Sequence, residues 1–179
     1  MSDHSAAVAR GSAVGPSGDR YEVEELIASG GQGHVYRALD HLLLRRVAMK
    51  VMRSNLVSSD EHRNRFFAEA WRMSALDHPC IPSIHDLGVT ERAEPYFTMT
   101  LVRGRTLQSL LRVWRDQDPG EESTCTLVSL VQILQRVAAT VHYIHGRGLL
   151  HRDIKPANIG VGAHGEIYVL DWGLSKRYR

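Results

Sequence analysis

His151-Arg152-Asp153-Ile154-Lys155-Pro156-Ala157-Asn158, followed by Asp171-Trp172-Gly173, is the stretch whose placement decides the architecture of this chain. The first segment reads as a loop over 149–158, and 159–171 beyond it reads as a hairpin turning at Gly162-Ala163-His164-Gly165. Before the loop, Leu127, Leu130, Val131, Leu134, Val137, Ala138 and Val141 recur at i, i+3, i+4 spacing. That spacing predicts a strongly amphipathic helix over 127–141, which needs a large partner surface.

Toward the N-terminus the texture changes. A charged loop over 115–124 and a short helix over 107–114 lead back to β-rich runs at 84–89 and 96–102. A helix opens at Ser58-Ser59-Asp60-Glu61, where Ser58 and Glu61 have capping-box spacing, and carries Phe66, Phe67, Ala70, Met73 and Leu76 until His78-Pro79 closes it. Runs at 21–29, 34–39 and 43–52 predict an antiparallel meander, giving a five-stranded sheet with one helix. Residues 1–20 contain 4 Ala, 4 Ser and 3 Gly without apolar periodicity and read as a flexible leader.

The 179 residues carry 22 basic and 20 acidic side chains, net +2, with 23% charged and 43% hydrophobic residues. These values exclude a wholly disordered or fibrous chain, and the interspersed signs give no case for nucleic-acid binding. Cys80 and Cys125, the only two cysteines, cannot build a disulfide framework and point to a reducing compartment. Ser129, Gln132, Gln135 and Arg136 interrupt the most apolar segment, and no signal-peptide core precedes it, so no membrane segment and a cytoplasmic location are expected.

Ile27-Ala28-Ser29-Gly30-Gly31-Gln32-Gly33-His34-Val35 lies between two expected strands. Its glycines would let backbone N–H groups approach phosphate oxygens, although taken alone the segment reads more readily as a plain glycine-rich β-turn. Val47-Ala48-Met49-Lys50-Val51 places Lys50 as a lone cation among apolar neighbours, either half-buried against an anion or snorkelling from an edge. Glu69 borders the apolar stripe of the following helix. It is the candidate anion, with Arg65 and Arg72 as alternative surface partners. His142 and His145 lack a third ligand at metal spacing and read as helix-surface residues; Lys176 to Arg179 read as a frayed basic end.

The glycine loop, Val47-Ala48-Met49-Lys50, Glu69, the His151–Asn158 stretch and Asp171-Trp172-Gly173 stand in the order and at separations that resemble the eukaryotic-type (Hanks-type) serine/threonine protein kinases, particularly their bacterial members. The resemblance covers 21–176. It implies an α+β, protein-kinase-like fold, with a complete N-lobe over 21–102 and only the first part of a mainly helical C-lobe over 103–179.

By that resemblance, Asp153 handles the proton of a substrate hydroxyl and Lys155 balances charge on the transferred phosphoryl group. Lys50, paired with Glu69, holds phosphates; Asn158 and Asp171 ligate Mg²⁺; 28–34 covers the phosphates; Val35 and Ala48 pack on adenine; Ile27 counts among the cofactor-binding residues. Met99 stands at the gatekeeper position, with Thr100 to Val102 as hinge. His151 joins Trp172, Met73 and Ile84 in an apolar stack. ATP and Mg²⁺ as cofactors, and proteins bearing Ser or Thr as substrates, follow from the same resemblance.

Four residues depart from the family's pattern. Ala28 replaces the first loop glycine, Gln32 the bulky tip and Trp172 the usual Phe. Gly160 stands where the family has a bulky residue under adenine, which predicts loose nucleotide packing and tighter ATP binding in Gly160→Leu. The sequence ends at Arg179, shortly after Gly173, so a truncated domain is expected, with an uncovered apolar helix face that favours a partner or self-association. Two functions are therefore open: a serine/threonine protein kinase, or an ATP-binding kinase-like module without peptide phosphorylation. A small-molecule phosphotransferase akin to the aminoglycoside kinases fits Asp171-Trp172 but not Arg152 or Lys155-Pro156.

Overall fold

β-Branched and aromatic residues do build a meander at the N-terminal end of the computed structural model, which describes residues 20–116 and 126–178. Most of the expected leader, most of the 115–124 loop, Cys125 and Arg179 lie outside the described residues. β1 (Tyr21–Ser29), β2 (Gly33–Asp40) and β3 (Arg45–Met52) pair antiparallel in sequence order. β3 then pairs with β5 (Pro95–Met99), and β5 with β4 (Ile84–Val89), giving a five-stranded sheet of order β1-β2-β3-β5-β4. β5 ends at Met99 rather than continuing through 102, because the Thr100 N–H donates to the Ser83 carbonyl, outside the ladder. That turn frees 100–102 to line a cleft.

Helix α1 (Asp60–Ser74) lays Phe66, Glu69, Ala70 and Met73 against the sheet side of the core. Its N-cap is Ser59, whose Oγ accepts from the His62 N–H at 3.4 Å. The expected Ser58–Glu61 capping box therefore does not form; starting one residue later turns Glu61 toward Arg65 on the next turn, at 2.5 Å.

The C-terminal half comprises β6 (Gly104–Thr106), α2 (Leu107–Asp116), α3 (Leu127–Gly146), β7 (Leu149–Leu150), β8 (Ile159–Gly162), β9 (Ile167–Val169) and β10 (Lys176–Arg177). β6, β8 and β9 form one small sheet, and β7 pairs with β10. β6, β7 and β10 went unforeseen because two or three residues cannot display a period. Helix α3 is capped reciprocally by Thr126 and Ser129, and ends where Gly148, at φ 73°, returns its N–H to His145.

Part of the expected stripe of α3 packs on the core, through Val137 with Leu130 and Val141, and part is left as the uncovered apolar face that was expected. Ile133, Val137, Thr140 and Ile144 face the core, while Leu127, Val131 and Leu134 are exposed, Leu134 by 60%. The helix is apolar on two sides, so spacing alone did not select the packed one. By length and composition it is also long and apolar enough to cross a membrane, a test that a core helix passes as well, and its inward residues belong to the protein core. That core runs from Met73 and Leu76 through Ile133, Val137 and Ile144 to Ile159, Val169 and Trp172.

Arg20 is part of the fold rather than of a flexible leader. Its guanidinium donates to Asp86 at 2.7 Å and to Asp40 at 3.3 Å, and the Tyr21 hydroxyl also donates to Asp86. Burial alone would raise the Asp40 carboxyl, but Arg20 and the N–H groups of Leu43 and Leu42 outweigh it and hold it below the ordinary carboxylate range. A depressed pKa stabilises the fold above the unfolded carboxylate range, and that contribution is lost as pH falls through the folded value. Arg20→Met is therefore expected to cost about 2 kcal/mol at neutral pH, read by urea unfolding, and to move acid unfolding to higher pH.

Candidate active site

Strand β3 carries Lys50 to the inside of the sheet, where it is only 9% exposed, and α1 brings Glu69, 2% exposed, to meet it. Lys50 Nζ donates to both carboxylate oxygens, at 2.6 and 2.7 Å. The surface alternatives are excluded: Arg65 bonds Glu61, and Arg72 donates to the Ser175 hydroxyl. Burial pushes the Glu69 carboxyl above its usual range, against the pull of the Lys50 ammonium. The Lys50 Nζ also lies 5.7 Å from the centroid of the Phe97 ring.

The glycine-rich segment is the β1–β2 turn. The Gly30 N–H donates to the Gly33 carbonyl, and a Cβ at Gly33 would fall 2.4 Å from the Val51 carbonyl oxygen, so only glycine lets β2 approach β3 there. Arg53, just past β3, holds the turn from outside. Its Nε donates to the Gly30 carbonyl at 2.8 Å, its Nη2 to the Ser29 hydroxyl at 3.0 Å, and its backbone N–H to the Gln32 carbonyl. No sequence signal marked Arg53, because the contact joins residues far apart in the chain. Among the described residues Gln32 Oε1 is buried without a hydrogen-bond partner, 3.7 Å from where a Cβ on Gly173 would stand, so the loop tip leans onto the Asp171-Trp172-Gly173 turn.

From the other side, the loop after β7 presents Asp153. Its Oδ2 accepts from Lys155 Nζ at 2.8 Å and from Asn158 Nδ2 at 2.9 Å. The Lys155 bond, joined by that from Asn158, holds the Asp153 carboxyl below the ordinary range despite some desolvation. His151 Nδ1 accepts from the Asp153 N–H, which leaves Nε2 to donate to the Leu170 carbonyl; the ring is neutral, and burial lowers its pKa. Its ring meets Trp172 edge-on at 4.7 Å, and Met73, Trp172 and Ile84 share one cluster. Arg152 and Asp171 take left-handed backbone angles, φ 67° and 57°, and the Arg152 Nε donates to the Leu174 carbonyl. Such angles cost about 1–2 kcal/mol each in a non-glycine residue.

One cavity of about 620 Å³ gathers these groups. Ile27, Ala28, Ser29, Gly30, Gly31, Gln32, Gly33, Val35 and Ala48 line it from the sheet, and Met99, Thr100 and Val102 from the segment after β5. Lys50, Glu69, Asp153, Asn158 and Asp171 complete it. His34 is not among the lining residues: its Nδ1 bonds the Ser29 hydroxyl, which turns the ring away. Lys155 also stands outside the lining and reaches the site only through Asp153. Leu101, inside the expected hinge, also lines the cavity, and Thr106 and Leu170 do so without having been foreseen.

The expectation that Gly160 loosens the site is overturned. A Cβ at position 160 would lie 3.1 Å from Val102 Cγ1 and 3.2 Å from Leu170 Cδ1, so neighbours already fill the space and Gly160→Leu would overpack it.

Asn158 spends its amide N–H groups on the Asp153 carbonyl and carboxylate, which leaves Oδ1 as the atom it can offer a cation. With the Asp171 carboxylate this makes a hard oxygen donor pair, the type that suits a divalent ion whose remaining ligands are phosphate and water. Among the described residues no cluster of three His, Cys, Asp or Glu side chains could hold a metal without such help.

The family model described as protein kinase domain matches residues 21–179. Serine/threonine-protein kinase PknD of Chlamydia trachomatis serovar D is 40% identical over 157 residues, covering 86% of this chain and 17% of that protein. The proteins of the same name from Protochlamydia amoebophila and Chlamydia pneumoniae are 38% identical over 162 residues and 35% over 158, covering 88% and 87% of this chain. The chain spans 16% and 17% of their respective lengths.

Removing the Arg53 clamp is expected to free the glycine turn while leaving the core intact. In Arg53→Ala, amide hydrogen exchange at Gly30 should accelerate about tenfold, with global stability changed by less than about 0.5 kcal/mol.

Proposed function

The chain belongs to the protein kinase domain family, and on that premise we propose that it transfers the terminal phosphoryl group of ATP to serine or threonine hydroxyls of a protein substrate. The observation that carries the reading is the convergence on one cavity of the Lys50–Glu69 pair, Asp153, Asn158 and Asp171, with Lys155 bonded to Asp153 from outside the lining. The ion we assign is Mg²⁺, held by Asn158 and Asp171, where it would neutralise phosphate charge.

The protein's own groups divide the remaining work. Lys50, fixed by two short bonds to Glu69, presents one ammonium at a set depth, so phosphate oxygens meet a preorganised charge rather than a mobile side chain. The glycine turn, pinned by Arg53, supplies backbone N–H donors above them. Asp153 is kept ionised by Lys155 and oriented by Asn158, so its carboxylate can accept a hydrogen bond from an incoming hydroxyl and align it for attack. Lys155, bonded to Asp153, brings a positive charge beside the carboxylate that would help balance charge on the transferred phosphoryl group.

Radiolabelled transfer from Mg-ATP to a generic protein substrate tests this, with nucleotide binding measured in parallel. Asp153→Asn is expected to lower transfer about 10²–10⁴-fold while leaving ATP affinity within about threefold. Binding without Asp153-dependent transfer would overturn the kinase proposal and select an ATP-binding module.

A further inference from the structure

Gly160 and Leu170 are bound together by size. Gly160 is buried in β8, paired with Thr106 on one side and Tyr168 on the other, and its missing side chain points at Leu170 Cδ1 and Val102 Cγ1. Gly160, Val102 and Leu170 all line the cavity that Val35 and Ala48 line from the sheet. Leu170 is anchored by its backbone on both sides: its N–H donates to the Asn158 carbonyl at 2.8 Å and its carbonyl accepts from His151 Nε2 at 3.1 Å. The side chain is thus held over Gly160 by the segment that also places Asn158 and Asp171.

We infer that Leu170 supplies the apolar floor on which the flat face of the ATP purine rests, and that Gly160 is small so that Leu170 can occupy that space. The inference rests on the nucleotide-binding reading above. It makes Leu170 a determinant of nucleotide affinity that sits one residue before the metal-binding Asp171, so base contact and metal placement share one rigid segment. It also requires the two positions to trade volume: bulk gained at 160 must be released at 170.

The test is a double-mutant cycle on the full chain, with ATP binding in the presence of Mg²⁺ followed by calorimetry and thermal melting followed without nucleotide. Leu170→Ala should weaken ATP binding about tenfold by stripping the floor of its methyl groups. Gly160→Leu should lower the melting temperature by about 5 °C through overpacking. Combined in Gly160→Leu/Leu170→Ala, the two should compensate, with affinity within about threefold and melting within about 2 °C of the unmodified chain. If Gly160→Leu does not fold, Gly160→Ala adds only the crowded Cβ and should show the same sign. Additive losses in the double variant, or a Leu170→Ala affinity equal to that of the unmodified chain, would overturn the inference. An unmodified chain that binds no ATP would instead overturn the nucleotide reading itself, and the melting cycle would still report on the exchange of volume.

Discussion

An ammonium and a carboxylate are buried against one another at Lys50 and Glu69, and much of the N-terminal half exists to make that tolerable. Each ion withdrawn from water costs several kcal/mol, and two contacts of 2.6 and 2.7 Å offset it only when both side chains are delivered to the same point. Delivery of Lys50 depends on the register that sets it opposite Val35 and Phe97. Delivery of Glu69 depends on Phe66, Ala70 and Met73 seating α1 on the core. A slip of one residue in β3 would turn the lysine to the other face of the sheet.

The same seating passes to the rest of the site through contact. Met73 belongs to the cluster that holds Trp172, and Trp172 is fully buried with its indole N–H bonded to the Val169 carbonyl. Trp172 meets His151, which bridges the Asp153 backbone to the Leu170 backbone. The helix that carries Glu69, the loop that carries Asp153 and the turn that carries Asp171 are therefore parts of one packed unit. The left-handed angles at Arg152 and Asp171 persist because these neighbours over-determine them. Substituting Trp for the usual Phe keeps an aromatic ring against His151 and adds a donor that the Val169 carbonyl satisfies.

Legibility varied with the length scale of the signal. The bounds of β1 and β4 match the expected 21–29 and 84–89, and α1 starts within a residue of expectation, because period and caps are local properties. On α3 the stripe was legible but the packed part of it was not, because the exposed Leu127, Val131 and Leu134 are as apolar as the buried Ile133 and Ile144. The glycine at 160 was read as loosening the site because its neighbour Leu170 reaches it from the residue just past β9, a contact that no local pattern records. Arg53 and the orientation of His34 were invisible for the same reason: each is decided by hydrogen bonds across the β1–β2 turn.

Motifs in fixed order along the chain, through their resemblance to the protein kinases, were enough to identify Lys50, Glu69, Asp153, Asn158 and Asp171 as candidates, because the types of group a site needs are written one residue at a time. Whether Glu69 would choose Lys50 over Arg65 or Arg72 was not written there. That choice, the trade of volume between Gly160 and Leu170, and the clamp from Arg53 were settled only by tertiary structure. Each is a competition between partners distant in sequence, and burial and distance, which exist only after folding, decide such competitions.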